Sequence, residues 1–144
     1  MDTKLKSDIA ELEVIKELLS RGFNVLKPIG DRLAYDLAVD CNNRLIRVQI
    51  KAAWYNENKA MYLVDNRRTR TNRRTMIRKC YGKSDFDIAI MVILEKRVFY
   101  VMPVEVFTSY ASSIAIIEDV KRQRPPRSHE FRERWDLISR PCGS

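Results

Sequence analysis

Residues 34–52 read Ala34-Tyr35-Asp36-Leu37-Ala38-Val39-Asp40-Cys41-Asn42-Asn43-Arg44-Leu45-Ile46-Arg47-Val48-Gln49-Ile50-Lys51-Ala52. Two runs with strand character, Leu33 to Asp40 and Arg44 to Ala53, flank Asn42-Asn43, a pair suited to a tight turn. They are expected to pair as an antiparallel hairpin. Side chains alternate across a strand, so Arg47, Gln49 and Lys51 share one face and Ile46, Val48 and Ile50 the other. Asp36 stands at the entrance of an otherwise apolar strand. Alternation by itself describes a half-exposed strand with a solvated polar face.

Working outward, residues 7–21 read as a helix. Ser7 is a candidate cap, Asp8 and Glu11 suit the first turn, and Gly22 can close it. Ile9, Leu12, Ile15 and Leu19 recur at helical spacing and are expected to face the core. Phe23 to Pro28 is a first short strand, ahead of a Gly30-Asp31 turn, and Met61 to Asp65 a further one. Ile88 to Leu94 is a nearly continuous apolar run, as in a strand covered on both faces. Arg97 to Met102 reads as its neighbour across a Glu95-Lys96 turn, and Val104 to Tyr110 as a short helix after Pro103. Pro125-Pro126 bars a continuous helix in the tail. The order of helix, strands, basic insert, strands and irregular tail predicts an α/β domain with a mixed sheet.

The chain has 144 residues, 45% hydrophobic and 32% charged, within the range of one globular domain spanning 1–144. Only 4 Gly and 5 Pro exclude collagen-like and low-complexity classes. The longest apolar run is far shorter than the roughly 20 residues needed to cross a bilayer, and no secretory signal opens the chain. A cytoplasmic protein with no membrane partner is expected. Three cysteines, at 41, 80 and 142, are odd in number and far apart, which argues against a disulfide framework or a zinc site.

Twenty-seven Lys and Arg against nineteen Asp and Glu give a net charge of +8. A small domain this basic points to a polyanion. The charge is concentrated. Arg67, Arg68, Arg70, Arg73, Arg74, Arg78, Lys79 and Lys83 fall within residues 67–83 with no acid among them, interspersed with Thr69, Thr71, Asn72 and Thr75. Such density in one sign repels itself without a partner. Arg and Lys meet phosphates, Arg reads guanine and Asn reads adenine in the major groove. Lys121, Arg122, Arg124 and Arg127 form a second cluster, suited to a phosphate clamp or arm. Trp54 and Tyr55 follow the hairpin directly and suit packing or DNA contact, packing being the commoner role. His129, the single histidine, lies beside the basic tail.

An Asp on one strand, then an oxygen-bearing residue, one spacer and a Lys on the next, resembles the core of the PD-(D/E)XK nuclease superfamily. Here it stands as Asp36 and Gln49-Ile50-Lys51, with Glu11 on the preceding helix where many of these nucleases place a further acid. The resemblance spans residues 7 to about 102 in element order. It departs from the pattern twice: Gln49 replaces the usual Glu or Asp, and Tyr35 replaces the Pro before Asp36. Within the superfamily, the chain is most similar to intron-encoded homing endonucleases of the I-SspI type.

The resemblance implies a PD-(D/E)XK nuclease-like α/β core, a mixed β-sheet flanked by helices, carrying a basic insert. It also implies Mg2+-dependent cleavage of double-stranded DNA, with Mn2+ able to substitute. Asp36, Gln49, the Ile50 carbonyl and Glu11 would be the metal ligands. Lys51 would hold the attacking water or stabilise the developing charge. Arg67, Arg68, Arg70, Asn72, Arg73, Arg74, Arg78, Lys79, Lys121, Arg122, Arg124 and Arg127 would meet DNA. One hydrolytic centre per chain and two strands per duplex imply a homo-oligomer, a dimer or tetramer. A restriction-type or junction-resolving nuclease of the same superfamily, and a non-catalytic DNA-binding module on a decayed nuclease fold, are the alternatives; Gln49 favours the last, and Asp36 with Lys51 opposes it.

Overall fold

The computed structural model describes residues 2–71, 76–119 and 124–139. The hairpin that decides the fold is there: β2 (Leu37–Cys41) pairs antiparallel with β3 (Arg44–Ala52), in the register Leu37↔Val48 to Cys41↔Arg44. Asn42 and Asn43 adopt φ of 52° and 62°, the left-handed values a tight hairpin requires. Strand β1 (Asn24–Leu26) pairs antiparallel with β2 at one edge. On the other side, β8 (Ile88–Ile93) runs parallel to β3, Val48↔Ile88 to Ala52↔Val92, and β9 (Val98–Pro103) closes the far edge antiparallel to β8. The sheet order is β1-β2-β3-β8-β9.

The apolar run in β8 is fully buried because it serves two cores. Ile88, Ile90 and Val92 join one cluster with Leu37, Val39, Ile46, Val48 and Ile50. Ala10, Val14 and Leu18 of α1 (Thr3–Ser20) cover that face, with Ile138 of α3 (Asp136–Ser139) and Trp135. Ala89, Met91 and Ile93 point to the other cluster. There β4 (Trp54–Asn56), β5 (Met61–Asp65) and β10 (Ser113–Ile116) form a smaller sheet in the order β10-β5-β4. Phe107 of α2 (Val104–Phe107), Phe86 and Tyr81 pack edge to face beside it. No helix among the described residues is long and apolar enough to cross a membrane.

Several elements differ from expectation. Helix α1 begins at Thr3 because Asp2, and not Ser7, caps it: the Asp2 carboxylate accepts the Lys4 N–H at 3.0 Å. Its core stripe is Ala10-Val14-Leu18, whereas Leu12 and Leu19 are 65% and 56% exposed. Strands β1 and β2 are shorter than their apolar runs, and β4 and β10 appear where no strand was expected. The basic insert is a two-stranded ribbon: β6 (Arg67–Thr71) pairs antiparallel with β7 (Met76–Cys80). In the tail, Arg127–Phe131 form a 3-10 turn.

Candidate active-site cleft

The open end of the β2–β3 hairpin faces the first turns of α1, and between them lies a cleft of about 570 Å3. Asp36, Gln49, Ile50 and Lys51 line it, with Ala52, Trp54, Asp65, and Thr3, Lys6, Ser7 and Ala10 of α1. The four residues expected on the hairpin therefore meet in one place.

Backbone pairing fixes Asp36. Its N–H donates to the Val48 carbonyl at 2.8 Å, and its Oδ2 accepts the Ile50 N–H at 2.7 Å. Burial holds the Asp36 carboxyl above the ordinary carboxylate range; the Ile50 N–H and the Lys51 and Lys27 charges pull the other way without cancelling it. Gln49 is buried, since its side of β3 lies under the second sheet, so the polar face is not a solvated one. Its Nε2 donates to the Ile50 carbonyl at 3.3 Å. Lys51 is half-buried; its Nζ donates to the Arg67 carbonyl at 3.0 Å and lies 5.3 Å from the Tyr81 ring centroid.

Glu11 is not among the lining residues. Its carboxylate is paired with Lys27, a cation whose charge also reaches Asp36. Asp65 is a lining carboxylate that sequence reading missed. It ends β5, and its Oδ1 accepts the Arg67 N–H at 2.9 Å. The signal available was an acid two residues before a long basic run. Ser7, expected as a cap, is a cleft residue instead. Trp54 and Tyr55 are each about half exposed, at 47% and 49%; Trp54 lines the cleft, and Tyr55 packs edge to face on Tyr62.

No group of three or more His, Cys, Asp or Glu suited to a metal occurs among the described residues. The cleft offers instead a carboxylate from Asp36, the Gln49 amide and the Ile50 carbonyl. These are oxygen donors without sulfur or imidazole, a set that fits a small hard divalent cation. A cation there would also offset the desolvation that raises the Asp36 pKa.

A second depression of about 490 Å3 shares Trp54 and Asp65 with the cleft and continues to Arg67, Ser112 and Ser113 at the base of the ribbon. Arg67, expected on DNA, is held to the body: its Nη2 donates to the Ala111 carbonyl at 3.4 Å. Its Nε is buried with no acceptor, so the guanidinium retains donor capacity. Arg68, Arg70, Arg78 and Lys79 lie on the two ribbon strands. Asn72, Arg73, Arg74, Lys121 and Arg122 lie outside the described residues. Arg124 is exposed, whereas Arg127 stacks over Tyr110 at 4.2 Å and donates to the Ser109 hydroxyl at 2.7 Å. His129 is exposed and not a cleft residue. Cys41 and Cys80 are free thiols.

The family model of the PD-(D/E)XK endonucleases matches residues 1–138. The solved structure of a bacterial homing endonuclease, I-Ssp6803I, is similar at a TM-score of 0.89 and 51% sequence identity, over 96% of this chain and 94% of that one. No curated protein sequence matches significantly.

Proposed function

The chain belongs to the PD-(D/E)XK endonuclease family, and from that premise we propose that it is a Mg2+-dependent homing endonuclease cutting both strands of DNA at a long defined site. The observation that carries this is the convergence of Asp36, Gln49, Ile50 and Lys51 on one cleft beside a basic ribbon.

Asp36, Gln49 and the Ile50 carbonyl would hold the cation, with Glu11 acting through Lys27 beside Asp36. When bound, a divalent cation polarises the scissile phosphate and acidifies water. Lys51, held by the Arg67 carbonyl, sets its positive charge beside the negative charge that grows on the phosphoryl oxygens. The Ile50 N–H keeps the Asp36 carboxylate oriented through the reaction. Trp54 and the depression ending at Arg67 extend the cleft toward the ribbon, a path for the nucleic-acid strand.

A two-stranded β-ribbon fits the major groove, where Arg side chains distinguish guanine. The ribbon strands carry Arg68, Arg70, Arg78 and Lys79 by backbone position. Two copies of the chain, one per DNA strand, complete a double-strand cut.

The test is incubation of purified protein with DNA of the intronless insertion locus and Mg2+, with both cut ends mapped. One position cut in both strands, abolished by chelation, is the expected result. Cutting at a short palindrome or only at branched junctions would assign the chain to a restriction-type or junction-resolving nuclease. Tight binding without any metal-dependent cutting would mean a DNA-binding module.

A further inference from the structure

Helix α1 has two apolar stripes. Ala10, Val14 and Leu18 are fully buried against the sheet. On the opposite side Leu5, Leu12 and Leu19, spaced seven residues apart, are 50%, 65% and 56% exposed. Three leucines seven residues apart form one apolar row along the solvent face of the helix, half of the pattern by which two helices pack on one another. Along α1 that row extends about 21 Å at 1.5 Å per residue.

The row is symmetric about Leu12. Leu5 and Leu19 stand seven residues either side of it, and Asp8 and Lys16 four residues either side. An antiparallel copy related by a two-fold axis at Leu12 therefore sets Leu12 on Leu12, Leu5 on Leu19, and Asp8 beside Lys16 twice over. An isologous contact requires this reciprocity. Of the other charges on the helix, Glu11 pairs with Lys27, Glu13 and Glu17 with Arg97, and Lys6 with Glu95, while Lys4 stands near the start of the helix, eight residues from Leu12. Asp8 and Lys16 belong to none of these pairs, and both are exposed.

We propose that the Leu5-Leu12-Leu19 face of α1 binds the same face of a second copy of this chain, antiparallel across a two-fold axis. The cleft is lined by Thr3, Lys6, Ser7 and Ala10 on the side turned toward the body, so this pairing leaves both clefts open. The inference gives a surface to the oligomer proposed above, and it stands or falls without DNA.

Sedimentation equilibrium of the DNA-free protein at micromolar concentration tests it, with thermal unfolding as the check on folding. The parent should have dimeric or larger mass. Leu12→Glu, at an exposed position, should keep its melting transition and weaken association by about 100-fold. Asp8→Lys and Lys16→Asp should each weaken association, and the double variant should restore it, because only an antiparallel pair sets residue 8 against residue 16. A monomeric parent, or an unchanged mass for Leu12→Glu, would overturn the interface. Failure of the double variant to recover would overturn the antiparallel arrangement. A monomer that still nicks DNA would remove the interface and leave the cleft assignment standing.

Discussion

The Lys51 ammonium donates to the main-chain carbonyl of Arg67 at 3.0 Å. The lysine on the β2–β3 hairpin is thus tied to the first residue of the basic ribbon, and the two ends of the proposed machinery share one hydrogen bond. Asp65 strengthens the tie, lining the cleft while accepting the Arg67 N–H.

Lys51→Ala should lower the cleavage rate by about 10²–10³-fold, the usual loss when one donor to a developing oxyanion is removed. Affinity for uncut target, measured in Ca2+, should stay within a few-fold of the parent. Single-turnover rates near wild type in Mg2+ would exclude Lys51 from the chemistry.

Asp36 carries a pH signature. Burial raises its pKa, so in the metal-free protein its ionised form costs stability above the folded-state pKa. That cost disappears as pH falls through the raised value toward the unfolded value of 3.8. Asp36→Asn should therefore raise the metal-free melting temperature at neutral pH, and the advantage should shrink on acidification. Mg2+ should stabilise the parent and not the variant. A melting curve for Asp36→Asn that tracks the parent at every pH would contradict the burial argument.

Gln49→Leu keeps the volume and removes the amide, so calorimetry should show weaker Mg2+ binding and cleavage should fall. Gln49→Glu adds a charge beside Asp36. It should bind Mg2+ more tightly than the parent while melting lower without metal, since two buried carboxylates repel. Equal cation affinity in all three proteins would show that residue 49 is not a ligand.

Single Ala replacements at Arg68, Arg70, Arg73, Arg74 and Arg78 should separate into two groups. Loss of a phosphate contact weakens cognate and scrambled DNA alike and lowers the salt slope by about 0.9. Loss of a base contact costs roughly 1–3 kcal/mol on cognate DNA only. Arg67→Ala should behave differently from both, since its guanidinium is held at the Ala111 carbonyl and its backbone anchors Lys51. Affinity titrations across salt concentrations give the answer; parental behaviour of all five would remove the ribbon from DNA recognition.

What could be read in the sequence was local. Asn42-Asn43 announces its turn because few residues tolerate positive φ at both positions. Ile88–Ile93 announces a central strand because both its faces are apolar. Helix α1 shows the limit: apolar rows at every fourth residue (Ala10, Val14, Leu18) and at every seventh (Leu5, Leu12, Leu19) both fit a helix, and spacing alone does not say which one faces inward. The more conspicuous leucines lie outside, and Ala10 and Val14 lie within. Ser7 has a capping side chain, but Asp2 begins the helix earlier. Strands β4 and β10 were hidden by their brevity, at 3 and 4 residues. Asp36 and Lys51 were legible because they lie on one hairpin. Asp65 was not, because only the second sheet brings it to the cleft.

The parallel pairing of β3 with β8 encloses β4 through β7 in a single excursion of the chain. The entropy of closing such an excursion grows only logarithmically, about 0.6 kcal/mol for each doubling of its length. Tertiary contacts on both sheet faces hold β3 and β8 together whatever the ribbon's length. A change in the ribbon's length therefore costs the scaffold little. The constraint on such changes sits at its root, where the Arg67 carbonyl meets Lys51.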